Sequence, residues 1–367
     1  MRTRLIAFLI AIVFLISTAP FESALAARGT PGSTEFGYGA HLNLGGAFAT
    51  DGIRLASNLQ LDWLAIDLSW QSIAPKAGAV DWTRLDPIMQ TAEHSQVAVF
   101  LSLTQAPDWA LGPQGPDAVQ ATQLVQQIAQ RYPKSLQALE LFPGANTRQG
   151  WGRSPDAGAY LKVWDSVTAA LQKLKSPIIL VAGGLKPVPA NLAPADAMDD
   201  LVFLQNLYSQ GIRSSLNIIS VQASGLNGEP LQSPTREQNV VLRHYEEVRQ
   251  VMLKNKHDAG LIWLTRLAPP SGQETGAAPQ PQNPNAQTAW LTQAFNQIKS
   301  QLYIGVAFLN EINPAPTATL GISLLQPGGD YHPFYRTLRD LVSINRSDSA
   351  IHRPGRPKDQ PLQKSVK

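Results

Sequence analysis

Eight short apolar runs alternate with amphipathic helical stretches over roughly 310 residues of this 367-residue chain, which predicts an α/β protein folded as a single (β/α)8 TIM barrel. Hydrophobic residues make up 44% of the chain, enough to fill one large core. A doubly wound sheet does not readily supply eight such runs, so the barrel is the simpler reading.

The first strand is read at 36–42 and the second at 61–68, leading into Ser69, Trp70 and Gln71 at a strand end. Apolar spacing at Leu85, Ile88, Met89 and Ala92 makes 81–92 a helix. The third strand spans 97–103, and Val125, Ile128, Ala129 and Tyr132 share one face of a helix at 118–131. Strand four at 136–142 is followed by a helix at 156–173, and strand five at 177–182 by a helix at 200–210. Strand six at 216–221 precedes a helix at 239–254, and strand seven lies at 261–265. A helix at 289–301, strand eight at 303–309 and a helix at 335–342 complete the series. Residues 268–288 hold Pro269, Pro270, Pro279, Pro281 and Pro284 among Gln, Asn, Gly and Ala, and are expected to form a flexible loop over the strand carboxyl ends.

Arg2 and Arg4, an apolar run over 5–16 and Ala24-Leu25-Ala26 together read as a secretory signal peptide, cleaved after Ala26 or Ala27. An uncleaved anchor is the alternative, but the apolar run is short for a span. No transmembrane span is expected after cleavage, so the chain is assigned to the secreted or cell-envelope space. The expected organisation is a leader at 1–26, a barrel at 27–345 and a disordered basic tail at 346–367. The formal charge is +3, but 2–26 carries +1 and 346–367 carries +4, leaving about −2 for the body and no basic field for nucleic acid.

There are no cysteines, which excludes disulfides, thiolate metal sites, cysteine nucleophiles and a lipid-modified amino-terminal cysteine. His41, His94, His244, His257, His332 and His352 show no metal-ligand spacing, and no cofactor motif appears. Gly183-Gly184 after strand five reads as a tight strand-end turn.

Several strand ends carry further pattern. Leu139-Glu140-Leu141-Phe142-Pro143-Gly144-Ala145-Asn146 resembles the Glu-Ile-Trp-Asn-Glu-Pro-Asn strand end of clan A glycoside hydrolases, such as family 39 β-xylosidases and family 5 cellulase-like enzymes. Leu261-Ile262-Trp263-Leu264-Thr265-Arg266-Leu267 resembles their Trp-Leu-Thr-Glu-Phe-Gly strand seven. Ser69 to Pro75 is similar to the Trp-x-x-Ile-Glu-Pro turn, with Ala74 for the glutamate, and Pro107-Asp108-Trp109 to the Pro-x-Trp that ends strand three. The resemblance implies a glycoside-hydrolase-like barrel in which Gly144 takes the acid/base position and Arg266 that of the nucleophile. Retaining enzymes of this kind need two carboxyl groups about 5–5.5 Å apart. Glycine and arginine supply neither, so the resemblance implies a non-catalytic relative, a pseudoenzyme.

Candidates for a relocated acid are Glu311, just past strand eight, and Glu140. Asp67 and Asp108 are weaker still. Strand alternation puts Glu140 inward beneath the mouth, in register with Phe142 and Gly144, which suits a paired polar group in the barrel layers. Arg266 beside Glu311 is expected to form a salt bridge that lowers the carboxyl pKa. For ligand binding, Trp70, Trp109, Trp151 and Phe142 fall at strand-end loops, where they could stack on sugar rings or simply pack under the loops. Trp63, Trp82, Trp164, Trp263 and Trp290 read as packing residues. Asn146, Arg148, Gln222 and Arg266 could add polar contacts at the mouth. Three functions remain open: a polysaccharide- or glycan-binding barrel, an active glycoside hydrolase using Glu311, and an envelope scaffold for an unknown protein partner.

Overall fold

The computed structural model describes residues 27–188, 196–235, 240–270, 283–315 and 323–351. The expected leader, the heart of the proline-rich loop and the end of the basic tail lie outside the described residues. The chain opens with β1 (Gly37–Leu42), α1 (Ala49–Asn58) and β2 (Trp63–Ser69), which runs into the one-turn α2 (Trp70–Ile73) and then α3 (Asp86–His94). β3 (Ala98–Thr104), α4 (Ala118–Arg131), β4 (Leu136–Leu141), the one-turn α5 (Arg148–Trp151) and α6 (Ala157–Lys173) follow. The second half holds β5 (Ile179–Leu185), α7 (Asp200–Ser209), β6 (Ile218–Gln222) and α8 (Tyr245–Lys254). β7 (Leu261–Leu267), α9 (Pro284–Lys299), β8 (Ile304–Leu309) and α10 (Phe334–Ile351) complete it. The eight strands pair in parallel in chain order, and β8 returns to β1 to close a (β/α)8 barrel.

Three differences from the sequence reading have local causes. α1, unexpected from the sequence, buries Ile53, Leu55 and Ala56, but its N-cap is Phe48, which offers no side-chain acceptor. Asp117 and Asp156 mark the starts of α4 and α6 by accepting backbone N–H bonds, and no such signal announces α1. α9 begins at Pro284, because Asn283 caps it and proline suits the first helical turn, so the loop is shorter than expected. α10 continues past the expected start of the tail, and Arg346 is part of the folded body: it donates to Gln60 O at 2.6 Å and pairs with Asp62 at 3.1 Å.

The barrel interior is filled by alternate residues of the strands, among them Trp63, Ala65, Phe100, Ala138, Val181, Ile218, Trp263, Val306 and Phe308. The rings of Trp63 and Trp263 lie 4.9 Å apart, Phe100 is 5.1 Å from Trp263, and Phe308 is 5.2 Å from Phe100. β1 makes room for these rings: a Cβ at Gly39 would collide with the Phe308 ring. The indole N–H groups of Trp63 and Trp263 donate to Arg28 O at 2.9 Å and Gly29 O at 2.8 Å, so the segment before β1 closes the bottom of the barrel. Asp62 beside it accepts from Tyr38 N at 2.9 Å. The outward faces of the strands pack against the helices in a second, larger core. No helix among the described residues is long and apolar enough to cross a membrane.

Truncating the central indole removes a fully buried ring and its hydrogen bond. Trp263→Ala is expected to lower stability by about 3–5 kcal/mol, read as a shift in the urea midpoint. A loss well below that range would show that the four rings do not carry the interior.

Candidate functional site at the barrel mouth

At the carboxyl ends of the strands the interior changes from apolar to polar. Glu140 on β4 is 1% exposed, and accepts from Ser102 Oγ on β3 at 2.6 Å and from Ser220 Oγ on β6. Ser220 Oγ in turn accepts from Gly184 N at 2.7 Å. Burial pushes the Glu140 carboxyl above its ordinary pKa, and the two hydroxyls pull it only part of the way back. Glu140 therefore sits in a sealed polar layer beneath the mouth, as strand alternation suggests, and does not line the cavity above it.

Above that layer, Arg266 of β7 reaches across the barrel to Asp67 of β2, with Nη2 donating to Oδ2 at 2.6 Å. A bulge aims it there. The β7–β8 register slips between Leu264 and Leu267, and Arg266 takes φ 57, so its side chain leaves the strand alternation. A non-glycine residue in this region costs about 1–3 kcal/mol, which the surrounding packing must offset. Burial alone would raise the Asp67 carboxyl, but the guanidinium charge and hydrogen bond hold it below its ordinary value. His41 of β1 is 4% exposed, and burial, then the charge of Arg266, push it down to about 3, so it is neutral. Both His41 ring nitrogens and Asp67 Oδ1 are buried without a hydrogen-bond partner among the described residues.

The expected Arg266–Glu311 salt bridge is replaced by Arg266–Asp67. Glu311 feels the Arg266 charge only at longer range, and burial, partly offset by that charge, raises its carboxyl to about 7. The expected lowering is therefore corrected to a rise.

The aromatic residues occupy different positions from a sugar platform. Phe142, expected in register with Glu140 and Gly144, takes φ 50 and leaves β4. Its ring packs 5.6 Å from Trp151 and 6.4 Å from Trp70. Trp70 and Trp151 are 1% exposed and Phe142 is fully buried, so none of the three offers a face to a ligand in this conformation. Trp109 is half-buried, stands edge-on to Trp70 at 5.6 Å and donates to Ala74 O at 2.9 Å. Asn146 is also fully buried, its side chain bridging the backbone of Lys186 and Met198. Arg148 is drawn outward to Asp196 at 2.8 Å. Of the residues singled out from the sequence, Asp67, Gly144, Gln222 and Arg266 line the mouth.

That mouth is a cavity of about 430 Å³ lined by Asp67, Ser69, Thr104, Gln105, Pro143, Gly144, Thr147, Gln149, Gly150, Lys186, Gln222 and Arg266. Gly144 sits at its wall with φ 76, a backbone conformation that a side chain rarely tolerates, and its N–H donates to Gly184 O at 2.7 Å. Gln222 Nε2 donates to the same carbonyl at 2.9 Å. Lys186, Thr104 and Gln149 were not anticipated; Thr104 ends β3 and Lys186 follows β5, the one signal that marks them, while Gln149 sits in α5 and carries no such signal. A wider groove of about 1330 Å³ runs along α9, outside the mouth, and Glu229 is the sole ionisable residue among its described lining residues. Exposed large apolar side chains include Val119 on α4, Val202 on α7, Leu253 on α8 and Ile344 on α10, while Phe48 and Tyr331 line one small cavity beside α1.

No family model matches the sequence, and no curated protein matches it. Solved structures do. A family 39 glycoside hydrolase from the gut symbiont Bacteroides cellulosilyticus superposes with a TM-score of 0.60 at 14% identity, over 85% of this chain and 64% of that one. An endo-β-1,4-glucanase from Xanthomonas axonopodis pv. citri gives 0.58 at 10% identity, over 84% of this chain and 99% of that one. A glucosidase from Croceicoccus marinus gives 0.60 at 10% identity, over 87% and 69%. This chain thus spans about two thirds of the length of the family 39 enzyme and nearly all of the glucanase. The protein has the barrel fold of glycoside hydrolases; at this identity the likeness is one of fold.

Two outcomes follow from the carboxyl groups. Removing the Ser220 hydroxyl leaves Glu140 short of a donor, so Ser220→Ala is expected to cost about 1–3 kcal/mol in chemical denaturation. Because the folded-state pKa of Glu311 is raised from 4.5 to about 7, folding holds its proton more tightly, and this contribution to stability is full below pH 4.5 and lost as pH rises to 7. Glu311→Gln is expected to flatten that fall, and identical pH dependence in both proteins would refute the assignment.

Proposed function

We propose that the protein is an exported glycoside-hydrolase-like barrel that binds a polysaccharide or glycan at the strand carboxyl mouth without cleaving it by the two-carboxylate route. One observation carries the reading: among the described residues that line the mouth cavity there is a single carboxylate, Asp67, and that carboxylate is tied to Arg266. Hydrolysis by the paired mechanism takes a second, free carboxyl group across the scissile bond. Gly144, the position aligned with the acid/base residue, has neither a side chain nor a backbone suited to one. The remaining lining is rich in amide, hydroxyl and amine groups, the donors and acceptors that sugar hydroxyls pair with. Export rests on the leader-like first 26 residues.

A second reading is favoured by Glu311. A carboxyl held at about 7 by burial has the pKa of a general acid, and Arg266 is near enough to influence it. In that reading the barrel hydrolyses glycosides with relocated acids.

Glycan-array binding and hydrolysis assays on the same panel separate the two. The expected result is retention of defined glycans without turnover, weakened about tenfold or more by Gln222→Ala. Turnover that Glu311→Gln abolishes would replace the first reading with the second. Retention unchanged by Gln222→Ala would move the binding site away from the mouth.

A further inference from the structure

The charge balance of the mouth narrows the ligand. Among the described residues, two cations, Arg266 and Lys186, line the cavity against the single carboxylate of Asp67. Oδ2 of Asp67 accepts the Arg266 hydrogen bond, and Oδ1 is buried away from the cavity without a hydrogen-bond partner among the described residues, so the charge of Asp67 is set against Arg266 and leaves Lys186 unbalanced. Glu140 is sealed in the layer below by Ser102 and Ser220. Arg266 uses only Nη2 toward Asp67, and guanidinium carries five N–H donors in all.

Lys186 is more than a solvated surface lysine. The fully buried Asn146 accepts from Lys186 N at 3.0 Å and donates to Lys186 O at 2.9 Å, clamping the backbone at this point of the rim. The clamp fixes where the exposed lysine leaves the wall, and the lysine lines the cavity. The β7 bulge and the Asp67 pair fix Arg266. Two cations thus line one polar cavity from neighbouring parts of its rim, Lys186 just past the end of β5 and Arg266 on β7, with β6 between those strands.

We infer that the mouth selects glycans bearing an anionic substituent, a carboxylate or a sulfate, over neutral glycans, with Lys186 and Arg266 receiving the anion. The inference rests on the carbohydrate-binding reading and deepens it. Arginine matches carboxylate and sulfate oxygens with its planar fork, and lysine adds a point charge that accommodates either. A neutral glycan leaves the net positive charge of the cavity uncompensated.

The test is calorimetric titration of the purified protein with three probes: oligogalacturonides, sulfated galactan oligosaccharides, and neutral cello- and xylo-oligosaccharides. Acidic probes are expected to bind about tenfold or more tighter than neutral ones, with affinity falling as salt rises. The comparison of the first two probes tells carboxylate from sulfate. Lys186→Gln, at an exposed side chain, is expected to remove most of the preference without changing thermal stability. Equal affinity for neutral and acidic probes, or equal loss on both in Lys186→Gln, would overturn the anion preference while leaving carbohydrate binding intact. Failure of every probe to bind would overturn both.

Discussion

The packing of four aromatic rings inside the barrel is the constraint on which the rest of the molecule depends. Trp63, Phe100, Trp263 and Phe308 come from β2, β3, β7 and β8, and they fit because β1 presents glycine where a larger residue would collide. Eight strands that enclose such a layer have no freedom left in their spacing. The polar groups one layer higher inherit fixed positions. That is why Ser102, Glu140 and Ser220, from three strands, meet without support from any loop.

The mouth itself is organised by departures from strand geometry. Gln105, Phe142 and Arg266 take positive φ at or near the ends of β3, β4 and β7. Of the other described non-glycine residues with positive φ, Gln60, Gln96, Lys175 and Lys256 follow helices, where a left-handed residue commonly ends the last turn, and Phe48 precedes α1. At the mouth, the same conformation turns one side chain inward and another outward. Arg266 swings over Asp67, and Phe142 joins Trp70 and Trp151 under the loops. An ion pair therefore stands in the cavity while the aromatic rings lie in the wall.

Much of the fold was legible because strands and helices advertise themselves by period. Alternation correctly placed Glu140 facing inward, and the 118–131 helix matches α4 residue for residue. The site was less legible. Arg266 and Asp67 are 199 residues apart, and only barrel closure brings them together. Whether a tryptophan at a strand end faces solvent or the core depends on the backbone of its neighbours, here on Phe142, whose conformation no motif encodes. Asn146 was read as a polar contact, and its amide is spent on the backbone of Lys186, the residue that does reach the cavity. The resemblance to glycoside hydrolases carried the frame well, since the frame is what strand spacing preserves.

The segment through Arg28 and Gly29 seals the end of the barrel opposite the mouth, and Arg346 near the close of α10 is anchored at that same end through Gln60 and Asp62. The first and last segments of the described barrel thus meet at one pole. Anything attached ahead of Ala27, or after Ile351, begins on the far side of the molecule from the cavity.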